Sequence, residues 1–181
     1  MTKRAFGKFT RRKQDAYDSP ESVLVSLRPH LMAGAHFLEP CAGKGDLWVA
    51  LEQHGLKCVG ATDIEPRGGG VVQGDALDLR EVDFRRAYRS VDYIITNPPW
   101  TRGILHPMID HLSAMRPTWL LFDANWMHTK QAAPFMGKLV KIVSVGRVSW
   151  MGNGVSGFDD CAWHLFDARH EGATQFVGRA A

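Results

Sequence analysis

The sequence predicts an α/β fold: a doubly wound sheet, mostly parallel, that ends in an antiparallel hairpin. Three observations support this. Short apolar runs alternate with stretches of helical period from residue 36 to residue 136; successive runs end on glycine, carboxylate or amide groups rather than two-residue turns; and the last two runs flank a segment of turn chemistry. At 181 residues the chain fits one domain, able to bury about 70% of the surface its unfolded form exposes. No internal repeat or linker divides it, so residues 1–16 are expected to form a basic arm and 17–181 a single domain.

Ser19-Pro20 reads as an N-cap followed by proline at the first helical position. Val23, Leu24, Leu27 and Leu31 then share one helical face, which predicts a helix of about ten residues. Beyond Gly34, His36-Phe37-Leu38 reads as a short strand running into the loop Glu39-Pro-Cys-Ala-Gly-Lys-Gly45. Helical period resumes through Leu47, Trp48, Ala50 and Leu51 and stops near His54-Gly55, where glycine can take the left-handed conformation that closes a helix. Lys57 to Thr62 predicts a second strand ending at Asp63, Val71-Val72 a brief third, and Val91 to Thr96 a fourth ending at Asn97. Leu105 to Met115 reads as helix, Thr118 to Ala124 as a fifth strand, and Thr129 to Met136 as a short helix. Leu139 to Val148 and Cys161 to Phe166 predict strands on either side of turn residues 151–160, the closing hairpin.

No stretch approaches the roughly 18 uninterrupted apolar residues of a membrane span, and the basic, polar N-terminus lacks an apolar signal region. The expectation is a cytoplasmic protein without membrane association. Cys41, Cys58 and Cys161 are odd in number and lack metal-ligand spacing, so neither a disulfide framework nor a zinc site is expected, and no metal is assigned. Charge is concentrated at one end. Residues 1–13 hold Lys3, Arg4, Lys8, Arg11, Arg12 and Lys13, six of the chain's 22 basic residues, and no acid; the rest balances 16 basic against 19 acidic residues. Such an arm, Lys3–Lys13, can follow a phosphate backbone by long-range attraction and counterion release, with Phe6 and Phe9 stacking on bases. It reads equally as a solvated tail, or as one that Phe6 and Phe9 pin to its own domain.

The loop from Glu39 to Gly45 follows a strand and opens a helix, at the sheet edge where doubly wound folds bind ligands. It is not a Walker loop, because Lys44 is followed by Gly45, and not a dinucleotide fingerprint, because Trp48 holds the third glycine position. Asp63 ends the next strand, 18 residues beyond Gly45, where a carboxylate can accept from both hydroxyls of a ribose. Asp75, in Gly74-Asp75-Ala76, ends the third and could accept from an adenine amino group. Each acid alone reads as a cap or a solvated loop residue, but three consecutive strand ends together point to a nucleoside.

In this order the motifs resemble those of the class I S-adenosylmethionine-dependent methyltransferases, within them the amino-methyltransferases with an Asn/Asp-Pro-Pro-aromatic tetrad. Tyr17-Asp-Ser19-Pro20 looks like the family's Tyr-x-Ser/Thr-Pro segment, which contacts the cofactor. Glu39, Pro40, Cys41, Ala42, Gly43 and Gly45 look like its methionine-side motif, with the carboxylate facing the cofactor ammonium. Asp63-Ile64 is similar to the ribose motif, Asp75-Ala76 to the adenine motif, and Asn97-Pro98-Pro99-Trp100 to the catalytic tetrad. The resemblance implies a Rossmann-like methyltransferase sheet, S-adenosyl-L-methionine as cofactor, and methylation of a nucleic-acid base, with adenine N6 in DNA as the leading substrate. The same tetrad serves RNA adenine, cytosine N4 and protein glutamine; about 16 residues precede Tyr17, which weighs against the glutamine enzymes and their added recognition domain. A cofactor-binding scaffold without catalysis is the reading of a different class.

The tetrad has its own chemical logic. An aromatic amino group is a poor nucleophile because its lone pair is delocalised into the ring. If the Asn97 side-chain carbonyl and the Pro98 backbone carbonyl each accept one amino hydrogen, the nitrogen is drawn toward tetrahedral shape, an interaction stronger in the transition state than in the ground state. Two prolines cannot extend a strand ladder and hold the loop rigid. Trp100 is expected to offer a face for a flipped base. His106, Asp110 and His111, one turn apart on the next helix, are expected to form its solvated face.

Overall fold

Eight strands form one sheet in the order β3-β2-β1-β4-β5-β7-β6-β8. The computed structural model describes residues 19–150, 157 and 159–179. Within that range the strands are β1 (His36–Glu39), β2 (Lys57–Asp63), β3 (Val72–Gln73), β4 (Tyr93–Thr96), β5 (Thr118–Asp123), β6 (Leu139–Arg147), β7 (Asp160–Phe166) and β8 (Gln175–Val177). β1 to β5 pair in parallel; β7 runs antiparallel to both β5 and β6, and β8 lies parallel to β6. Chain order reverses between β1 and β4, so their carboxyl ends open a crevice at the topological switch point.

Alternate residues of the central strands enter opposite layers, as the two-residue period of a strand requires. Phe37, Ile95, Trp119 and Leu121 join a cluster with Leu24, Leu27 and Leu51; Leu38 and Ile94 join another with Phe84, Met108 and Leu112; Leu120 and Phe122 pack with Trp126 and Phe166. Both faces of the sheet are therefore buried, by α1 (Leu24–Leu27) and α2 (Asp46–Gln53) on one side and by α3 (Glu81–Arg86) and α4 (Arg102–Met115) on the other. The predicted parallel sheet and closing antiparallel pair are present.

Three expectations change. The helix predicted after Ser19 is broken into a 3-10 turn (Glu21–Val23), α1 and a second 3-10 turn (Arg28–His30). Pro20, not Ser19, holds the cap position, because the Ser19 hydroxyl is engaged by Asn97, whose Nδ2 donates to it at 3.2 Å. The indole N–H of Trp163 donates to the Val23 carbonyl at 2.8 Å and ties this segment to the sheet. Second, α3 and β8 were not predicted. Third, His106, Asp110 and His111 do not form a free solvated face: His106 Nε2 accepts from the Trp126 indole at 3.0 Å, Asp110 pairs with Lys138 at 2.6 Å, and His111 Nε2 lies 2.8 Å from the Leu79 carbonyl. They tie α4 to its neighbours. Cys161 is buried and Cys41 and Cys58 are half-buried, all as free thiols. The predicted basic arm, Tyr17, and most of the predicted turn (151–156 and 158) lie outside the described residues. Among the described residues no helix is long and apolar enough to cross a membrane.

Candidate active site

The loop after β1 turns sharply into α2. Gly45 stands at the N-cap with φ of 94°, and a Cβ there would overlap Trp48 Nε1, so both backbone and packing demand glycine. Gly43 is also left-handed, with φ of 54°. Asp63 fixes this loop from the neighbouring strand: its Oδ2 accepts the Gly43 N–H at 2.8 Å and its Oδ1 the Glu65 N–H at 2.8 Å. Each oxygen retains a second lone pair for a ligand hydroxyl.

A cavity of about 420 Å³ lies over the carboxyl ends of β1, β2 and β4, within the size range of small-molecule sites. Of the sequence-predicted residues it gathers Ser19, Glu39, Pro40, Cys41, Ala42, Gly43, Asp63, Ile64, Asp75, Ala76, Asn97 and Pro99. Pro20, Gly45, Pro98 and Trp100 stand outside its wall. Asp46, Leu47, Glu65, Arg67, Leu77, Ile104 and Met108 line it without having been predicted. Glu65 and Arg67 carried a signal in their place, two and four residues past the strand-end acid, and Ile104 in its place four residues past the tetrad's last residue.

Polarity is unevenly distributed. Glu39 is 1% exposed and its Oε2 has no hydrogen-bond partner. Burial holds its carboxyl well above the usual range; the carboxylates of Asp63 and Asp46 push the same way, and a backbone hydrogen bond at Trp48 opposes them. Burial favours the neutral form of this acid, and a cation placed against the free oxygen would favour the ionised one. Burial likewise raises the Cys41 thiol, which disfavours the thiolate. Asp75 Oδ1 accepts the Leu77 N–H at 2.9 Å and caps the 3-10 turn Ala76–Asp78. Ile64 and Leu77 are exposed apolar side chains beside these acids, a suitable flank for a flat aromatic group. Among the described residues no group of acids, histidines and cysteines could hold a metal ion.

Asn97 sits where β4 ends, and its amide is held at both ends. Its Nδ2 donates to Ser19 Oγ at 3.2 Å; its Oδ1 accepts from Trp100 Nε1 at 3.3 Å, an N–H shared with the Leu121 carbonyl at 3.1 Å. An indole N–H only donates, so the atom facing it must be the amide oxygen, and the orientation is fixed. Beyond the sequence expectation of a face for a base, Trp100 has a second engagement: it is half-buried, its ring packs edge-on to Trp150 with centroids 5.8 Å apart, and its polar edge clamps Asn97.

The buried, unpaired Glu39 oxygen, the acid pair at the next two strand ends and the apolar flank fit the ammonium, ribose and adenine of S-adenosylmethionine. The strand order and switch-point crevice define the class I methyltransferase fold. No protein-family model and no curated protein matches the chain. Solved structures do. A candidate RNA methyltransferase from Pyrococcus horikoshii aligns with a TM-score of 0.57 at 14% identity, over 83% of this chain and 85% of that one. A candidate class I S-adenosylmethionine-dependent methyltransferase from Listeria monocytogenes aligns at 0.57 and 11% identity, over 91% and 66%. The methyltransferase subunit of a type I restriction-modification system from Streptococcus thermophilus aligns at 0.58 and 8% identity, over 90% of this chain but 47% of that subunit, about half its length. At these identities the likeness is one of fold.

Proposed function

We propose that the protein binds S-adenosyl-L-methionine and transfers its methyl group to an exocyclic amino nitrogen of a nucleic-acid base, with adenine N6 in DNA as the first acceptor to test. The observation that carries this reading is the Asn97 amide, clamped at the end of β4 in the wall of the same cavity that buries the Glu39 carboxyl with its unpaired Oε2. S-adenosylmethionine, when bound, supplies a methyl group already activated on a sulfonium. What remains for the chain is to hold that group and to prepare the nitrogen. Glu39 offers a negative partner for an ammonium, Asp63 the remaining lone pairs of its oxygens for hydroxyls, and Asp75 an acceptor for an amino group. Asn97 Oδ1, aimed by Trp100 and Ser19, accepts one hydrogen of the acceptor amine and localises its lone pair. With no covalent step required, no nucleophile is assigned, and the raised Cys41 thiol agrees with that. The fold is shared with a candidate RNA methyltransferase and with a restriction-modification subunit, so RNA is the alternative carrier.

Methyl-labelled cofactor incubated with the full chain and separate DNA, RNA and protein acceptors tests the reading, followed by digestion to nucleosides. Label on deoxyadenosine N6 supports it; label on RNA changes the carrier; cofactor binding with no label on any acceptor leaves a scaffold. Two further outcomes follow. Trp100→Phe keeps an aromatic ring but loses the N–H that aims Asn97, so kcat should fall about ten- to a hundredfold with the acceptor KM unchanged; a raised KM at constant kcat would make Trp100 a stacking surface instead. Deleting residues 1–13, the proposed nucleic-acid arm, should weaken DNA binding and flatten the dependence of log K on log salt by several units. An unchanged slope would leave the arm a plain tail.

A further inference from the structure

The cavity wall is rich in one sign of charge. Glu39, Asp46, Asp63, Glu65 and Asp75 face it, and among the described lining residues Arg67 alone is a cation. We infer that Arg67 is the carboxylate-recognising residue of this site, holding the α-carboxylate of an amino-acid-bearing nucleoside ligand while Glu39 takes its ammonium. The inference rests on the cofactor reading above and assigns to it a residue outside the strand-end motifs.

Three features put the guanidinium there. The segment after β2 folds back over the glycine loop: the Arg67 N–H donates to the Gly43 carbonyl at 2.9 Å. The next residue, Gly68, lies so close to the Lys44 carbonyl that a Cβ would overlap it, which pins the two loops together backbone to backbone. The Arg67 side chain then crosses Gly43, with Nη2 only 2.5 Å from where a Cβ on that glycine would stand. Gly43 is thus bare on the side where Arg67 enters the cavity. The charge pattern matches the ligand class: a sulfonium and an ammonium meet carboxylates, and the one anionic group meets the one guanidinium, whose planar fork suits a carboxylate. Asp63 and Arg67 ride on one loop, so the groups that would read the sugar and the amino acid are held at a fixed spacing.

Isothermal titration of the full chain with S-adenosylhomocysteine and with its decarboxylated counterpart, which keeps the amine, tests this. The wild-type protein should prefer the carboxylate-bearing ligand by about tenfold. Arg67→Met should weaken that ligand by a similar factor, leave the decarboxylated one unchanged and so erase the preference; Arg67→Lys, which restores a point charge, should recover part of it. The substitutions leave the backbone bond from residue 67 to Gly43 in place, and thermal melts of each variant confirm the fold. Equal weakening of both ligands would make Arg67 a prop for the glycine loop, and a preference retained in Arg67→Met would put the carboxylate elsewhere; either result overturns the inference. Wild-type protein that binds neither ligand removes the cofactor reading itself.

Discussion

Asn97→Ala should reduce methyl transfer by about a hundred- to a thousandfold, the usual cost of removing one preorganised polar group from a transition state, while the affinity for S-adenosylhomocysteine changes by no more than about threefold. The separation follows from what each atom of Asn97 does. Its Nδ2 donates to Ser19 and its Oδ1 accepts from Trp100, and an amide oxygen can accept a second hydrogen bond, here proposed to come from the acceptor amine. On truncation Trp100 Nε1 keeps the Leu121 carbonyl at 3.1 Å. The melting temperature should therefore shift by only a few degrees. Asn97→Asp preserves the acceptor oxygens, and Ser19 can donate its hydroxyl in place of receiving the amide; this variant should retain intermediate activity. Stopped-assay transfer rates beside ligand titration measure both quantities. Parallel loss of transfer and of cofactor affinity in Asn97→Ala would mean that Asn97 holds the cofactor rather than the acceptor.

The sequence revealed the sheet and the bare positions of the site more readily than their orientations. β1 and β4 were legible because each apolar run stops on a chemically abrupt change, to Glu39-Pro40 and to Asn97-Pro98-Pro99. α3 was not, since only Phe84 of its six residues is buried and a single apolar side chain makes no period. β8 is three residues long with Phe176 exposed; it is a strand only because the chain returns to the open edge of β6. Ser19 carried a strong local capping signal that a bond from 78 residues away overrode. Trp100 shows the same limit at the site. Adjacent prolines announce a rigid aromatic, but which edge it turns to Asn97 depends on Leu121, 21 residues on. Arg67 stands four residues past the strand-end acid, which marks its place but not its direction; its entry into the cavity depends on the contact between Gly68 and Lys44.

His164→Leu should make the fold markedly more resistant to acid. His164 sits in the middle of β7, opposite Leu120 and Ile142 of the flanking strands, with no exposed surface and neither ring nitrogen hydrogen-bonded. Its ring stacks on Phe122 with centroids 3.8 Å apart and planes within 11°. Burial lowers its pKa from 6.5 to about 3, and the neighbouring backbone of Ala162 and Leu120 opposes this only in part. A histidine kept neutral by the fold is protonated more readily in the unfolded chain, so stability is full above the unfolded pKa and declines as pH falls from about 6.5 toward 3. The loss by pH 3 is on the order of 4 kcal/mol, comparable with the whole stability of many domains. Glu39 acts in the opposite sense: its folded pKa is raised, so the folded state gains protons as pH falls and is stabilised by them. The informative quantity is therefore the difference between wild type and His164→Leu, in which the Glu39 contribution is common to both. Urea unfolding at a series of pH values should show that difference to be nearly constant above pH 7 and to grow in favour of the leucine variant below pH 6. Parallel profiles down to pH 3 would mean that the imidazole finds a compensating partner when protonated, and that the stacked His164–Phe122 pair imposes no acid limit on the sheet.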